Sequence, residues 1–167
     1  MNNQLARFDD YWTNAVQNLP ARLSPVMKAA TMFGQPGFMG VIVAICGLIS
    51  LAQGDSSQVM FYSVVLVVIP IASVIKIWIH RPRPATYTRT WLPSYSFPSG
   101  HAYSSALVLC TIAFANASLP LLIFAILGTT LVGMSRVYRG AHYPSDVVGG
   151  WLLAIPTLWA VISFVGR

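Results

Sequence analysis

The sequence predicts an all-α fold: a polytopic membrane helix bundle of about five transmembrane helices, preceded by an interfacial amphipathic helix. Three observations carry that expectation. Hydrophobic residues make up 56% of the chain and charged ones only 8%, against about 25% charged in an ordinary soluble domain. The apolar residues come in long blocks, and a helix is the form in which a single segment satisfies its own backbone in lipid. The polar residues that remain are gathered largely into three islands between the later blocks. At 167 residues the chain reads as one domain, with an interfacial segment over 1–35 and a membrane bundle over 36–167.

The elements follow in order. Leu5, Phe8, Trp12, Val16 and Leu19 recur at helical spacing with Asn, Gln, Asp and Arg between them, the pattern of an amphipathic helix. Such a helix lies in the membrane interface or packs on the bundle, and the pattern leaves both open. Pro20 ends it, and Ser24-Pro25 reads as a cap followed by the first position of another helix. Five apolar stretches then come close to the length needed to cross about 30 Å of hydrocarbon. They are Pro36–Gln53, Val59–Ile79, Ala102–Ala117, Leu119–Met134 and Val147–Val165. The third and fourth are short and extend into their flanking motifs. Gly54, Asp55, Ser56 and Ser57 turn the chain between the first two, and Asn116, Ser118 and Pro120 between the third and fourth. Pro70 and Pro156 lie within spans, where a kink is expected. Gly128, Gly133, Gly149 and Gly150 offer flat surfaces for close helix contact.

Composition excludes several classes. The net charge of +6 and pI of about 9.8 do not point to nucleic acid, because the basic residues are sparse and form no basic helix face. An anionic lipid or phosphorylated substrate suits them better. Cys46 and Cys110 fall inside apolar blocks and read as small buried hydrophobes, with no zinc or disulfide spacing. The N-terminus lacks the basic-then-apolar pattern of a cleaved signal peptide.

With five crossings, the N-terminal segment and all three islands share one face. Arg7, Arg22, Lys28, Lys76, Arg81, Arg83, Arg89, Arg136 and Arg139 fall on it, and Arg167 on the other. The islands are Lys76–Pro84 (KIWIHRPRP), Pro98–His101 (PSGH) and Ser135–Asp146 (SRVYRGAHYPSD). Together they read as one phosphate site. Lys76, Arg83 and Arg136 can grip phosphate oxygens, the arginines as a fork and the lysine as a compact charge. Basic residues at helix ends also anchor at lipid headgroups; three islands on one face favour the site. Ser99 can cap the helix that follows PSGH, Gly100 lets an anion approach, and His101 lies in the first turn beside it. His142 and Asp146 are four residues apart near a helix start. There the carboxylate can fix the imidazole tautomer, leaving the other nitrogen free to attack, or can cap the helix.

Lys76-x6-Arg83-Pro84, Pro98-Ser99-Gly100-His101 and Ser135-Arg136-x5-His142-x3-Asp146 resemble the three-part signature of the type 2 phosphatidic acid phosphatase family. The resemblance covers the chain from Lys76 onward, and the N-terminal half matches only in character. Many bacterial membrane members have six spans; here the interfacial helix stands where a first span would. The resemblance implies that His142 is the nucleophile, that Asp146 orients it, and that His101 protonates the leaving oxygen and then activates water. It implies that Lys76, Arg83, Ser99, Gly100 and Arg136 hold the phosphoryl oxygens; Arg139 can assist but lies outside the signature. No metal or other cofactor is implied. Asp9, Asp10, Asp55 and Asp146 are the only acidic side chains, too few and too scattered for a carboxylate cluster.

The function expected is hydrolysis of a lipid phosphate or diphosphate held in the bilayer. Candidates are an isoprenyl (di)phosphate, phosphatidic acid, phosphatidylglycerophosphate or a phosphorylated glycolipid. The short chain leaves little room for headgroup recognition, which favours the isoprenoid. Two alternatives use the same residues: a lipid phosphotransferase sharing the phosphohistidine, and a lipid-binding membrane protein without activity. Nothing in the sequence decides the oligomeric state. Positive-inside counting puts the basic face of this multi-pass cell-membrane protein in the cytoplasm, whereas the resemblance to six-span members implies the outer face.

Overall fold

The computed structural model describes residues 3–85 and 95–165. Every regular element among them is helical. Helix α1 (Asn3–Gln17) is the amphipathic one, and its single buried residue is an acid, Asp9. It ends two residues short of Leu19. A 3-10 turn over Ala21–Leu23 leads into α2 (Ser24–Phe33), so Ser24 is the first helical residue and not the cap. Pro36 opens α3 (Pro36–Ala52). Next come α4 (Ser56–Val68) and α5 (Ile71–Ile79), which divide one apolar segment at Pro70. The chain continues as α6 (Gly100–Ala115), α7 (Leu119–Tyr138) and α8 (Pro144–Val165). Pro156 lies inside an unbroken α8.

All five apolar stretches fold as helices. By length and composition, three segments qualify as membrane spans among the described residues: Ser56–Ile79, α7 and α8. A fourth qualifies where the segment Ala21–Phe33 and α3, bent by 56° to each other, count as one span. Helix α6 falls short at 16 residues, about 24 Å of rise. Its position explains why it can be short. Ten of its residues are buried, and Tyr103, Leu107 and Val108 are wholly enclosed. It is the central post of the bundle, and its neighbours meet the lipid.

Those neighbours turn apolar side chains outward: Leu48, Val67, Trp78, Leu127, Ile155 and Trp159 are all largely exposed. The interior instead holds hydroxyls. Ser105 and Thr129 join α6 to α7 at 2.9 Å, and Ser104 donates to the carbonyl of Gly34. Helices in lipid gain little from burying apolar surface, so small residues and hydrogen bonds between helices bind them together. The closest approach to another helix's backbone among the described glycines is at Gly150. A Cβ there would meet the Ser99 carbonyl oxygen at 2.7 Å and the Tyr103 nitrogen at 3.0 Å, so α8 lies against the start of α6 with room for hydrogen alone. Gly133 and Gly149 are also packed over, by Trp151 and Val147 and by Phe97, whereas Gly128 is less crowded.

Candidate active site

The three islands meet at one end of this bundle. The PSGH segment arrives at α6 with Ser99 extended as its N-cap, its hydroxyl facing the Ala102 amide at 3.5 Å. The Ser99 amide donates to the Asp146 carbonyl at 2.9 Å, which ties the second island to the third. Ser96, just upstream, ties it to the first: its amide donates to the Arg81 carbonyl at 2.7 Å and its hydroxyl to the Pro82 carbonyl at 2.9 Å.

Helix α5 ends where His80 turns left-handed, with Lys76 in the last helical turn. The prolines of Arg81-Pro82-Arg83-Pro84 hold the next four residues out of helix. In extended chain, residues two apart point the same way, and Arg81 and Arg83 both reach the third island. Arg83 Nη1 donates to the Ala141 carbonyl at 2.7 Å and approaches His142 Nε2 at 3.2 Å. Arg81 Nη1 donates to Asp146 Oδ1 and to Ser145 Oγ, each at 2.7 Å. Its Nη2 donates to Asp9 Oδ2 at 2.7 Å, and its guanidinium lies over the Tyr143 ring, 4.5 Å from the centroid.

The third island is delivered by a glycine. Gly140 takes φ 62° just past α7. The Ala141 amide then donates to the Arg136 carbonyl and the Gly140 amide to the Val137 carbonyl, the paired bonds of a Schellman cap. This turn carries the chain into Ala141 and His142 at the mouth of α8. Asp146, in the first turn of α8, accepts from the Tyr143 amide through Oδ2 at 2.9 Å, as a capping-box acid does. The same Oδ2 stands 3.6 Å from His142 Nδ1, beyond hydrogen-bond length, and Nδ1 makes no hydrogen bond among the described residues. Asp146 is thus a cap and a neighbour of the imidazole at once.

His142 is 2% exposed and Asp146 is fully buried. Burial, followed by the charges of Lys76, Arg83 and Arg136, holds the His142 imidazole well below the ordinary histidine range. At neutral pH the ring is uncharged. With Arg83 donating toward Nε2, the ring proton belongs on Nδ1, facing Asp146. Burial, followed by the nearby charges of Arg136, Lys76 and Arg83, holds His101, at the start of α6, below the ordinary histidine range.

The structure therefore brings together Lys76, Arg83, Ser99, Gly100, His101, Arg136, His142 and Asp146. It does not bring in Arg139, which caps α7 and stays exposed. Arg89 and Arg167, used in counting charge by face, lie outside the described residues. Four residues that the motifs do not mark join the cluster: Asp9, Arg81, Ser96 and Ser145. Arg81 sits inside the first island, where its alternation with Arg83 was the available signal, and Ser145 sits inside the third; Asp9 and Ser96 carry no signal. No group of three or more His, Cys, Asp or Glu side chains suited to a metal occurs among the described residues.

A buried imidazole ringed by cations, at the end of a bundle of apolar helices, defines a membrane phosphatase as the class of protein. Comparison with known proteins gives the family. Residues 58–167 match the PAP2 superfamily, and the chain belongs to it. It is 33% identical to the phosphatidylglycerophosphatase B of Bacillus subtilis, over 91% of this chain and 86% of that one. It is 30% identical to a decaprenylphosphoryl-5-phosphoribose phosphatase of Mycobacterium tuberculosis, over 92% and 85% of the two chains. An undecaprenyl-diphosphatase of Sulfolobus acidocaldarius matches at 30% over 77% of this chain and 56% of that protein. The crystal structure of a transmembrane PAP2 type phosphatidylglycerolphosphate phosphatase from Bacillus subtilis superposes with a TM-score of 0.83 at 28% identity. That match covers 98% of this chain and 87% of the other.

Proposed function

We propose that this protein hydrolyses the phosphate or diphosphate of a membrane lipid through a covalent phosphohistidine on His142, without a metal. One observation carries the reading: an uncharged, buried imidazole whose Nε2 faces Arg83 at 3.2 Å, within the field of Lys76 and Arg136. A phosphoryl group entering this pocket draws the Arg83 guanidinium to its oxygens and frees the Nε2 lone pair. The anionic phosphate, entering among the cations that with burial keep His101 neutral, lets that imidazole take up a proton from solvent. Nε2 of His142 then attacks phosphorus as the bond from phosphorus to the lipid oxygen breaks, and His101 gives that oxygen its proton. Asp146, 3.6 Å from the protonated Nδ1, stabilises the charge that grows on the ring. His101 then takes a proton from water, the water oxygen attacks phosphorus, the P–N bond breaks and phosphate departs. Lys76, Arg83, Arg136 and the amides at the start of α6 stabilise the charge on the transferring group. Gly100 supports this role, because a Cβ there would meet nothing nearer than Pro36 Cγ at 3.8 Å. Protein packing does not demand glycine at that position, and close approach of an anion does.

The relatives' names span a glycerophospholipid phosphate, an isoprenoid diphosphate and a prenyl sugar phosphate. Phosphatidylglycerophosphate is the first substrate to test, given the match along nearly the whole chain to a protein of that name. An isoprenyl diphosphate, favoured by the short chain, is the second.

The test is phosphate release by the purified protein in EDTA across such a panel. Activity should persist in EDTA, disappear in His142→Ala, and yield to vanadate, which mimics the transferring group on the imidazole. Strict need for an added divalent ion, or indifference to millimolar vanadate, would defeat the mechanism. Transfer of phosphate to an added lipid alcohol in place of water would identify a phosphotransferase. For orientation, the excess of basic residues on the site's face supports a cytoplasmic site. Labelling of Asn2→Cys by an impermeant reagent outside intact cells would overturn it.

A further inference from the structure

We propose that Asp9, on the amphipathic helix ahead of the bundle, is a positioning residue for the reaction: through Arg81 it sets the carboxylate of Asp146 behind His142. The inference rests on the phosphohistidine reading above and extends it to a helix that carries no part of the signature.

Asp9 is 2% exposed on a helix whose other described residues all keep some contact with the surroundings. Both of its oxygens are engaged. Oδ1 accepts from the Ser145 amide at 2.8 Å, and Oδ2 from the Ser145 hydroxyl and Arg81 Nη2, each at 2.7 Å. Arg81 uses its other terminal nitrogen on Asp146 Oδ1 at 2.7 Å. One guanidinium thus spans two buried carboxylates from opposite ends of the sequence. A planar fork between two partners cannot turn without breaking one bond. Asp9 therefore fixes the plane of Arg81, and Arg81 fixes Asp146 Oδ1. With Oδ1 held, Oδ2 has a single orientation, toward the Tyr143 amide and His142 Nδ1.

The outer side of α1 presents Leu5, Phe8, Tyr11 and Trp12. An amphipathic helix of this kind seats its aromatics in the membrane interface. The helix that meets the lipid surface is thereby the one that holds the acid partner of the nucleophile in place. A tether role alone would make Asp9 matter to stability and leave turnover untouched.

The experiment is a double-mutant cycle on the full-length protein in detergent micelles containing a lipid phosphate, reading kcat and KM separately. Asp9→Asn keeps an oxygen for the Ser145 amide and loses the charge that holds Arg81. It should lower kcat by about 10- to 100-fold, the range expected when a catalytic group is misplaced by about 1 Å, with KM changed less than about threefold. Arg81→Ala should lower kcat at least as far, and adding Asp9→Asn to it should cost nothing more, since the two act through one path. Asp9→Glu should recover most of the lost kcat. Arg81→Lys, which keeps the charge without the fork, should remain as impaired as Arg81→Ala and covers the case in which Asp9→Asn does not fold. Wild-type kcat in Asp9→Asn, or full additivity of the two changes, would overturn the inference while the phosphatase reading stands. A wild-type protein that releases no phosphate from any lipid phosphate would overturn both.

Discussion

At the end of the bundle remote from the site, each turn is closed by residues next to it. Gly54 (φ 76°) and Ala117 (φ 44°) end α3 and α6, and the Asp55 and Ser118 amides donate back to the Ser50 and Ala113 carbonyls. Asp55 then accepts from the Gln58 amide at 2.9 Å and Ser118 from the Leu121 amide at 3.4 Å, starting α4 and α7. At the site end local caps are joined by partners from far away. Asp9 accepts from the Ser145 amide, 136 positions later. Asp146 is held by Arg81 and its carbonyl receives the Ser99 amide. The remote end is a set of independent local caps. The site end is one network, in which backbone capping and reactive side chains share atoms. Substitutions at the remote end should therefore change stability alone, and those at the site end should cost activity out of proportion to stability.

The sharpest break of that contrast is Arg83→Ala. Losing one charged donor to the transferring group should lower kcat/KM by about 10²–10³-fold, the usual cost of one such donor, measured by steady-state phosphate release. A loss matched by an equal fall in folded protein would return Arg83 to a structural role.

Gly150→Ala comes next. The added methyl would press on the Ser99 carbonyl and the Tyr103 amide, backbone that cannot swing aside. Overpacking of this kind costs about 1–3 kcal/mol, and it separates Ser99 from Asp146. Thermal unfolding in detergent and activity should both fall, with activity falling at temperatures where the protein is still folded.

The same cap at the two ends allows a matched pair. Gly140→Ala puts a Cβ into the left-handed region at a cost of about 1–2 kcal/mol and shifts His142, so activity falls with stability. Ala117→Gly relieves that strain at the remote end and should stabilise by up to about 1 kcal/mol with unchanged activity. Equal behaviour of the two variants would dissolve the distinction between the ends.

Near neutral pH the last effect is the smallest, and it grows only as pH falls. Buried and near three cations, His142 takes a proton less readily in the folded state than in the unfolded chain, where its value is near 6.5. The unfolded state therefore binds protons first as pH falls, so stability is lost below about pH 6.5, by at most about 1.4 kcal/mol per pH unit from this one group. His142→Ala should flatten that part of the unfolding profile, and an unchanged slope would place the titration elsewhere.

Much of this protein was legible from pattern. Blocks of apolar residues marked the helices, Gly54 and Pro120 marked turns, and Pro70 marked a break, because each acts through its own few neighbours. The three motifs named side chains that the fold brings together, because fixed spacing on a helix start or an extended proline segment sets where side chains point. What the pattern missed is of another kind. Ser24 opens a helix one residue earlier than its cap-like sequence implies, because a 3-10 turn absorbs the bend after Pro20. Helix α6 is short because it is enclosed, which its own composition does not reveal.

Asp9 is the clearest case of that limit. In sequence it is one of two adjacent acids on the polar side of an amphipathic helix, with nothing to separate it from Asp10. By itself the sequence determined a helical membrane chain, the family signature, and which residues to propose for phosphate chemistry, since those follow from local periodicity and residue type. Only the tertiary structure decided that Arg81 is shared between Asp9 and Asp146, that Gly150 brings α8 onto the start of α6, and that Arg139 stays outside. Those outcomes depend on how helices distant along the chain pack together, and a buried charge takes whichever partner that packing brings within about 3 Å.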